Sequence, residues 1–395
     1  MKQITTLLLT LFGSMINILG QTSDVITKIP FELEGNHIFI KLKINNSKEL
    51  NFVFDTGADG TVINSETANR INLSNYKQSK EEGANGEIAV QVSKKNTINI
   101  NNLQFDNLNL VSVPLLHLEK VIGRDIDGII GYPILKKYVV KLNYDSFEIE
   151  IYPSKNFKYV GTGETIKILS KPISTINAKI GLENGQFIEG RFILDNGAGL
   201  AIALCTPFSE ENNIVEKFNN TYLITSLGLS GKKTTVTMGR LKTLKINKLQ
   251  HFDVPTNVYS VKTGVFAREG IAGIIGNEVL KKYNITFDYK RKNSYWESNN
   301  TFYNEQFEVS CSGLRLSLDE TKTKIFIINI IPKSIGAYSE LEIGDEIIKI
   351  DGIEVEKLTL SKIEKLLNQD SKTIEIMVNR KNSLSKVFLK LKALI

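Results

Sequence analysis

Cysteine is almost missing. Cys205 and Cys311 are the only two in 395 residues. They are too few and too far apart for the closely spaced framework that stabilises small secreted domains, so free, partly buried thiols are expected. Histidine is nearly as scarce. His37, His117 and His251 form no His-Glu-x-x-His pattern, and with two cysteines they leave no zinc site of the common kinds. Ordinary, partly buried histidines are expected instead. A Gly-x-Ser-x-Gly elbow is lacking, which speaks against a serine hydrolase. The run Gly228-Leu229-Ser230-Gly231-Lys232-Lys233-Thr234 has the wrong spacing for a phosphate loop. No metal or cofactor is therefore expected. A basic tract is missing too: 49 Lys and Arg face 43 acidic residues, and the net charge of +6 is scattered along strand-like segments. That distribution suits solvated sheet faces and gives no reason to expect a nucleic-acid partner.

The apolar run from Ile4 to Leu19 follows Lys2 and ends at the small residue Gly20. It is short for a membrane span and fits a cleaved signal peptide over residues 1–20. Nothing later approaches a membrane-crossing length, so export to a periplasmic or extracellular space is expected, with no transmembrane span in the mature protein.

What the sequence does hold is a repeat. Leu50-Asn51-Phe52-Val53-Phe54-Asp55-Thr56-Gly57-Ala58 is echoed by Gly190-Arg191-Phe192-Ile193-Leu194-Asp195-Asn196-Gly197-Ala198. Each copy follows another strand-like run and a turn at Asn45-Asn46 or Asn184-Gly185. Downstream, Ile129-Ile130-Gly131 and Ile274-Ile275-Gly276 each lead into a Leu-Lys-Lys-Tyr run. The same landmarks in the same order, at a period far too long for a solenoid, mean two duplicated domains. The segments are short, rich in β-branched residues and bounded by Asn, Gly or Asp, so they are expected as strands. Short helices are expected after each apolar-Gly motif, with Ile134, Leu135 and Tyr138 on one face. Residues 152–170, with Pro153, Gly161 and Gly163, form a plausible connection between the two domains.

Two aspartates on equivalent turns suggest paired-carboxylate chemistry. Like charges held face to face cannot both ionise, so such a pair keeps one proton over a wide pH range. The ionised member can take a proton from water while the protonated member hydrogen-bonds a peptide carbonyl. The loop Asp55-Thr56-Gly57-Ala58-Asp59-Gly60-Thr61 resembles the active-site loop of retropepsin-like aspartic peptidases. The paired apolar-apolar-Gly motifs resemble the segments beneath those loops in the same family. The resemblance covers roughly residues 28–295. It implies that Asp55 and Asp195 are catalytic, that Thr56, Gly57, Ala58, Asn196, Gly197 and Ala198 support the loops, and that Thr56 braces the opposing loop. Asn196 stands where the family carries Thr or Ser. Ala58 and Ala198 stand where the pepsin branch often has a hydroxyl donor, and losing that donor would raise the carboxyl pKa values. A working range nearer neutrality than pepsin's is therefore expected. Gly83-Ala84-Asn85-Gly86 and Gly228-Leu229-Ser230-Gly231 are candidate substrate flaps.

From Ser312 onward the pattern changes. Gly313-Leu314-Arg315-Leu316, Leu341-Glu342-Ile343-Gly344-Asp345-Glu346-Ile347 and the Asp351-Gly352 turn resemble a PDZ domain. That resemblance implies that Gly313, Leu314, Arg315 and Leu316 form the loop receiving a peptide's terminal carboxylate. A helix capped by Thr359 or Ser361, with Ile363, Leu366 and Leu367 on one face, is expected beside it.

The expected chain is thus mainly β: two duplicated retropepsin-like β-barrel lobes at 24–156 and 165–297, then a PDZ domain at 308–395. The expected function is hydrolysis of peptide or protein substrates by a chain that acts as a monomer, the PDZ domain binding C-terminal peptides or substrate tails. A non-catalytic peptide-binding protein that keeps the same fold is the alternative.

Overall fold

A computed structural model describes residues 24–83, 86–229 and 231–395, with the backbone alone for residues 81–83 and 86–89. The expected signal segment at 1–20, and Ala84, Asn85 and Ser230 of the flap candidates, lie outside the described residues. Among the described residues no helix is long and apolar enough to cross a membrane.

The duplicated halves each close into a six-stranded barrel. In the first, His37–Ile44, Leu50–Phe54, Gly128–Ile130, Thr61–Asn64, Leu103–Val113 and Gly86–Ile100 pair in that order. The ring shuts where Lys43 and Ile44 meet Asn99 and Ile98. In the second, Thr175–Gly181, Phe187–Asp195, Gly273–Gly276, Ile202–Leu204, Leu249–Val258 and Lys233–Ile246 repeat the order. Its ring shuts at Lys179 against Lys245. Leu50–Phe54 is buried at every position, which is why it is apolar apart from Asn51, whose side chain donates to Asp125 C=O. Burying a side chain such as Phe54 completely stabilises the fold by roughly 1.5–3 kcal/mol.

A third sheet belongs to both lobes. Its order is Thr27–Pro30, Glu148–Pro153, Tyr138–Asn143, Tyr283–Asp288, Asn293–Ser298 and Glu164–Lys167. At its centre the two Leu-Lys-Lys-Tyr runs feed equivalent strands that pair across the seam, Lys141 opposite Thr286. Tyr138, expected on a helix, starts its strand instead: the helix Tyr132–Lys137 stops and the chain turns into this shared sheet. The connecting segment also contributes a strand, Glu164–Lys167, which pairs antiparallel with the residues from Asn293 to Trp296.

The C-terminal domain is a separate sheet ordered Leu314–Leu318, Ile325–Ile330, Glu346–Ile350, Thr373–Arg380 and Ser383–Lys390, with Ile353–Glu354 pairing on Glu346–Ile350. Its helix Leu360–Leu367 is capped by Thr359, whose hydroxyl accepts the Lys362 N–H, and it buries Ile363 and Leu367 in the domain's own core. Phe302, in the stretch before this domain, packs edge-on against Tyr144 and Phe147 of the first lobe.

Candidate active site

Parallel pairing builds the site. Leu50–Phe54 lies beside Gly128–Ile130, and Phe187–Asp195 lies beside Gly273–Gly276, so each Asp emerges where two strands end together. The turn that follows is pinned from below: Ala58 C=O accepts from Tyr132 N–H at 3.0 Å, and Ala198 C=O accepts from Asn277 N–H at 2.7 Å. Asp55 Oδ1 accepts from Gly57 N–H at 2.7 Å, and Asp195 Oδ1 accepts from Ala198 N–H at 3.0 Å.

The two loops meet at their glycines. A Cβ on Gly57 would stand 2.6 Å from the carboxyl carbon of Asp195, and one on Gly197 would stand 2.3 Å from that of Asp55. Neither glycine has a positive φ. Their role is to leave room for the opposing carboxyl, so that two acids face each other.

Behind the carboxyls the loops hold each other. Thr56 N–H donates to Asn196 Oδ1 at 2.6 Å, and Thr56 Oγ1–H donates to Leu194 C=O at 3.0 Å. In return, Asn196 N–H donates to Thr56 Oγ1 at 3.1 Å, and Asn196 Nδ2 donates to Phe54 C=O at 2.8 Å. The amide of Asn196 therefore accepts and donates at the same two stations as the hydroxyl of Thr56. The departure from Thr or Ser leaves the brace complete.

Burial pushes Asp55 well above the ordinary carboxylate range, and the nearby Asp195 carboxylate and a hydrogen bond to it push the same way. Burial raises Asp195 as well, offset in part by the hydrogen bond from Asp55 and by the Ala198 and Gly197 N–H groups. Carboxyls held this close resist ionising together, so the pair titrates as a unit. Both Ala58 and Ala198 lack a side-chain donor, so backbone N–H groups do the work of holding the ionised form.

The dyad lies at the floor of a cleft of about 610 Å³ between the lobes. Val53, Val62, Val111, Leu118 and Ile122 form much of one wall, and Ile193, Leu200, Tyr259 and Phe266 much of the other. Of the flap candidates, the second-lobe turn after Tyr222–Leu227 reaches over the cleft, where Gly228 and Leu229 line it. Leu229 packs into the apolar cluster of the first lobe. Gly228 C=O lies 3.1 Å from His117 Nε2, and Gly231 sits beside the same imidazole. In the first lobe, Gly83 and Gly86 end the paired strands Tyr76–Gly83 and Gly86–Ile100.

Two features of the cleft escaped the sequence reading. His37, expected to be ordinary, borders the dyad beside Gly199, and desolvation there holds its pKa below the usual value. The short helix Leu116–Ile122 supplies Leu118, Val121 and Ile122 to the wall and sets His117 against the turn bearing Gly228. The remaining histidine, His251, hydrogen-bonds Tyr283 at 2.8 Å, and burial pushes it down to about 4.

Away from the cleft, Gly313, Leu314, Arg315 and Leu316 enter the outermost strand of the C-terminal sheet. Gly313 N–H donates to Ser310 Oγ at 3.1 Å and Leu314 N–H to Ser312 Oγ at 3.2 Å, so both amides are paired with hydroxyls of the chain itself. Arg315 is exposed.

Compared with known families, residues 40–134 match the one described as aspartyl protease, and residues 304–379 match the PDZ domain. The second lobe lies outside both matches. No curated protein matches the chain.

Proposed function

Starting from a retropepsin-like aspartyl protease domain and a C-terminal PDZ domain, we propose that this protein is an exported aspartic endopeptidase, complete in one chain. The observation that carries the reading is the reciprocal pair of loops that brings Asp55 and Asp195 together, half-buried and braced by the buried Thr56 and Asn196. In this reading a peptide lies extended across the cleft, and a water sits between the carboxyls. The ionised carboxylate takes the water's proton as its oxygen attacks the carbonyl carbon. The protonated carboxyl donates to the carbonyl oxygen as it gains charge. Collapse of the tetrahedral species then returns a proton to the departing amine. Closure of the hairpin bearing Gly228 and Leu229 excludes bulk water, which strengthens each of these interactions. The apolar walls on both sides favour substrates with apolar side chains flanking the bond. The PDZ domain binds a peptide or a substrate tail in this scheme.

The test is cleavage of a diverse peptide library by protein lacking residues 1–20, from pH 3 to pH 8, beside Asp55→Asn and Asp195→Asn. Turnover lost in both variants, with a parent profile extending towards neutrality, is the expected result. A folded parent that binds peptides but cuts none at any pH would replace this reading with the non-catalytic binding protein.

A further inference from the structure

The helix Leu116–Ile122 has two jobs on two sides. Towards the cleft it presents Leu118, Val121 and Ile122, and His117 meets the flap carbonyl of Gly228. Its other side lies against the C-terminal domain. Glu119 is 4% exposed, and its carboxylate accepts from Ile126 N–H at 2.8 Å, Asn64 Nδ2 at 3.2 Å and Lys322 Nζ at 3.0 Å. Lys322 also pairs with Asp125, and Lys120 pairs with Glu320 at 2.6 Å. Ser317 Oγ reaches Lys120 C=O at 3.5 Å. Gly123, with φ +81°, ends the helix directly against Leu360; a Cβ there would stand 2.6 Å from the Leu360 Cβ.

Ser317 belongs to Leu314–Leu318, the outermost strand of its sheet, and Leu360 opens the helix Leu360–Leu367. Those two elements flank the channel in which a peptide would add as an extra strand. The mouth of that channel is occupied by the protein's own helix. We infer that the C-terminal domain holds Leu116–Ile122 as an intramolecular ligand, with Lys322 as the positioning residue that fixes one wall of the cleft. Lys322 acts through Glu119 and touches no substrate. A peptide laid along Leu314–Leu318 has to displace this helix at that end, so filling the channel slackens the cleft wall and the flap contact together.

The inference deepens the peptidase reading, and its primary test needs no turnover. Hydrogen exchange would be followed on the full chain for the parent, Lys322→Glu, Lys322→Met and Lys322→Arg. In the Glu and Met variants, exchange across 116–122 is expected to rise at least tenfold and to rise also at 224–229, while Thr373–Arg380 stays as protected as in the parent. Lys322→Arg, which keeps the charge, should restore protection. Unchanged exchange at 116–122 in Lys322→Glu would overturn the inference. Loss of protection spread equally to Thr373–Arg380 would do so too, because Lys322 would then serve only general stability. With an active parent, KM should rise at least threefold at nearly constant kcat; a parent without turnover would sink the peptidase reading and leave the exchange result standing.

Discussion

Asn196 gives the sharpest prediction, because the amide replaces a hydroxyl at the centre of the site. Its side chain satisfies two buried backbone groups, Thr56 N–H at 2.6 Å and Phe54 C=O at 2.8 Å, and the residue itself is fully buried. Asn196→Ala removes both partners and offers no water in exchange. Each orphaned group costs about 1–3 kcal/mol, so the pair should cost about 4 kcal/mol. For a unit of this size that corresponds to a fall in melting temperature of roughly 8 °C. Asn196→Thr should behave differently. One hydroxyl can accept from Thr56 N–H and donate to Phe54 C=O, as Thr56 already does with Asn196 N–H and Leu194 C=O. The threonine variant should therefore stay within about 1 kcal/mol of the parent. Peptide cleavage should follow the same order, with the alanine variant down on the order of 100-fold as the carboxyls drift by about 1 Å. Thermal melts of the three proteins decide the matter. An alanine variant as stable as the parent, or a threonine variant as weak as alanine, would refute the reciprocal brace.

The remaining predictions concern crowding and pH. Gly57→Ala and Gly197→Ala should remain folded by circular dichroism yet lose turnover on the order of 100-fold, because each methyl lands on the opposing carboxyl. Glu278 is 6% exposed, accepts from Glu308 N–H, and is pushed by burial up to about 7. A carboxyl raised in the folded state favours folding fully below its unfolded pKa, and that favour is lost as pH rises from about 4.5 through about 7. Glu278→Gln, which does not titrate, should therefore match the parent near pH 4 and exceed it by roughly 3 kcal/mol above pH 8. Equal denaturation midpoints for the two proteins at pH 8 would count against this.

The barrels and the two aspartate loops were legible because their signals are local. An apolar strand, an Asp and a Gly two residues on are written side by side, and the duplication writes them twice. Asn196 was legible as a departure but its consequence was not, since only the geometry reveals that an amide can meet both stations of the brace. His37 could have been placed once the register was known: Ile38 pairs with Phe54, which sets the preceding residue beside Asp55. The helix Leu116–Ile122 left little trace. It is short, has no side-chain cap, and owes its position to Lys322 and Leu360, which lie some two hundred residues away in the chain. The strand Glu164–Lys167 was hidden for the same reason, because its pairing partner comes only at the end of the second lobe.

The sheet shared by the lobes has a consequence for dilution. Each half of the chain contributes three of its strands, and the seam joins Val140, Lys141 and Leu142 to Phe287, Thr286 and Ile285. Because the halves are covalently tethered, each meets the other at an effective concentration on the order of millimolar, whatever the amount of protein in solution. A site assembled from two separate chains comes apart when scarce. This one is as complete in a single isolated molecule as in a concentrated stock.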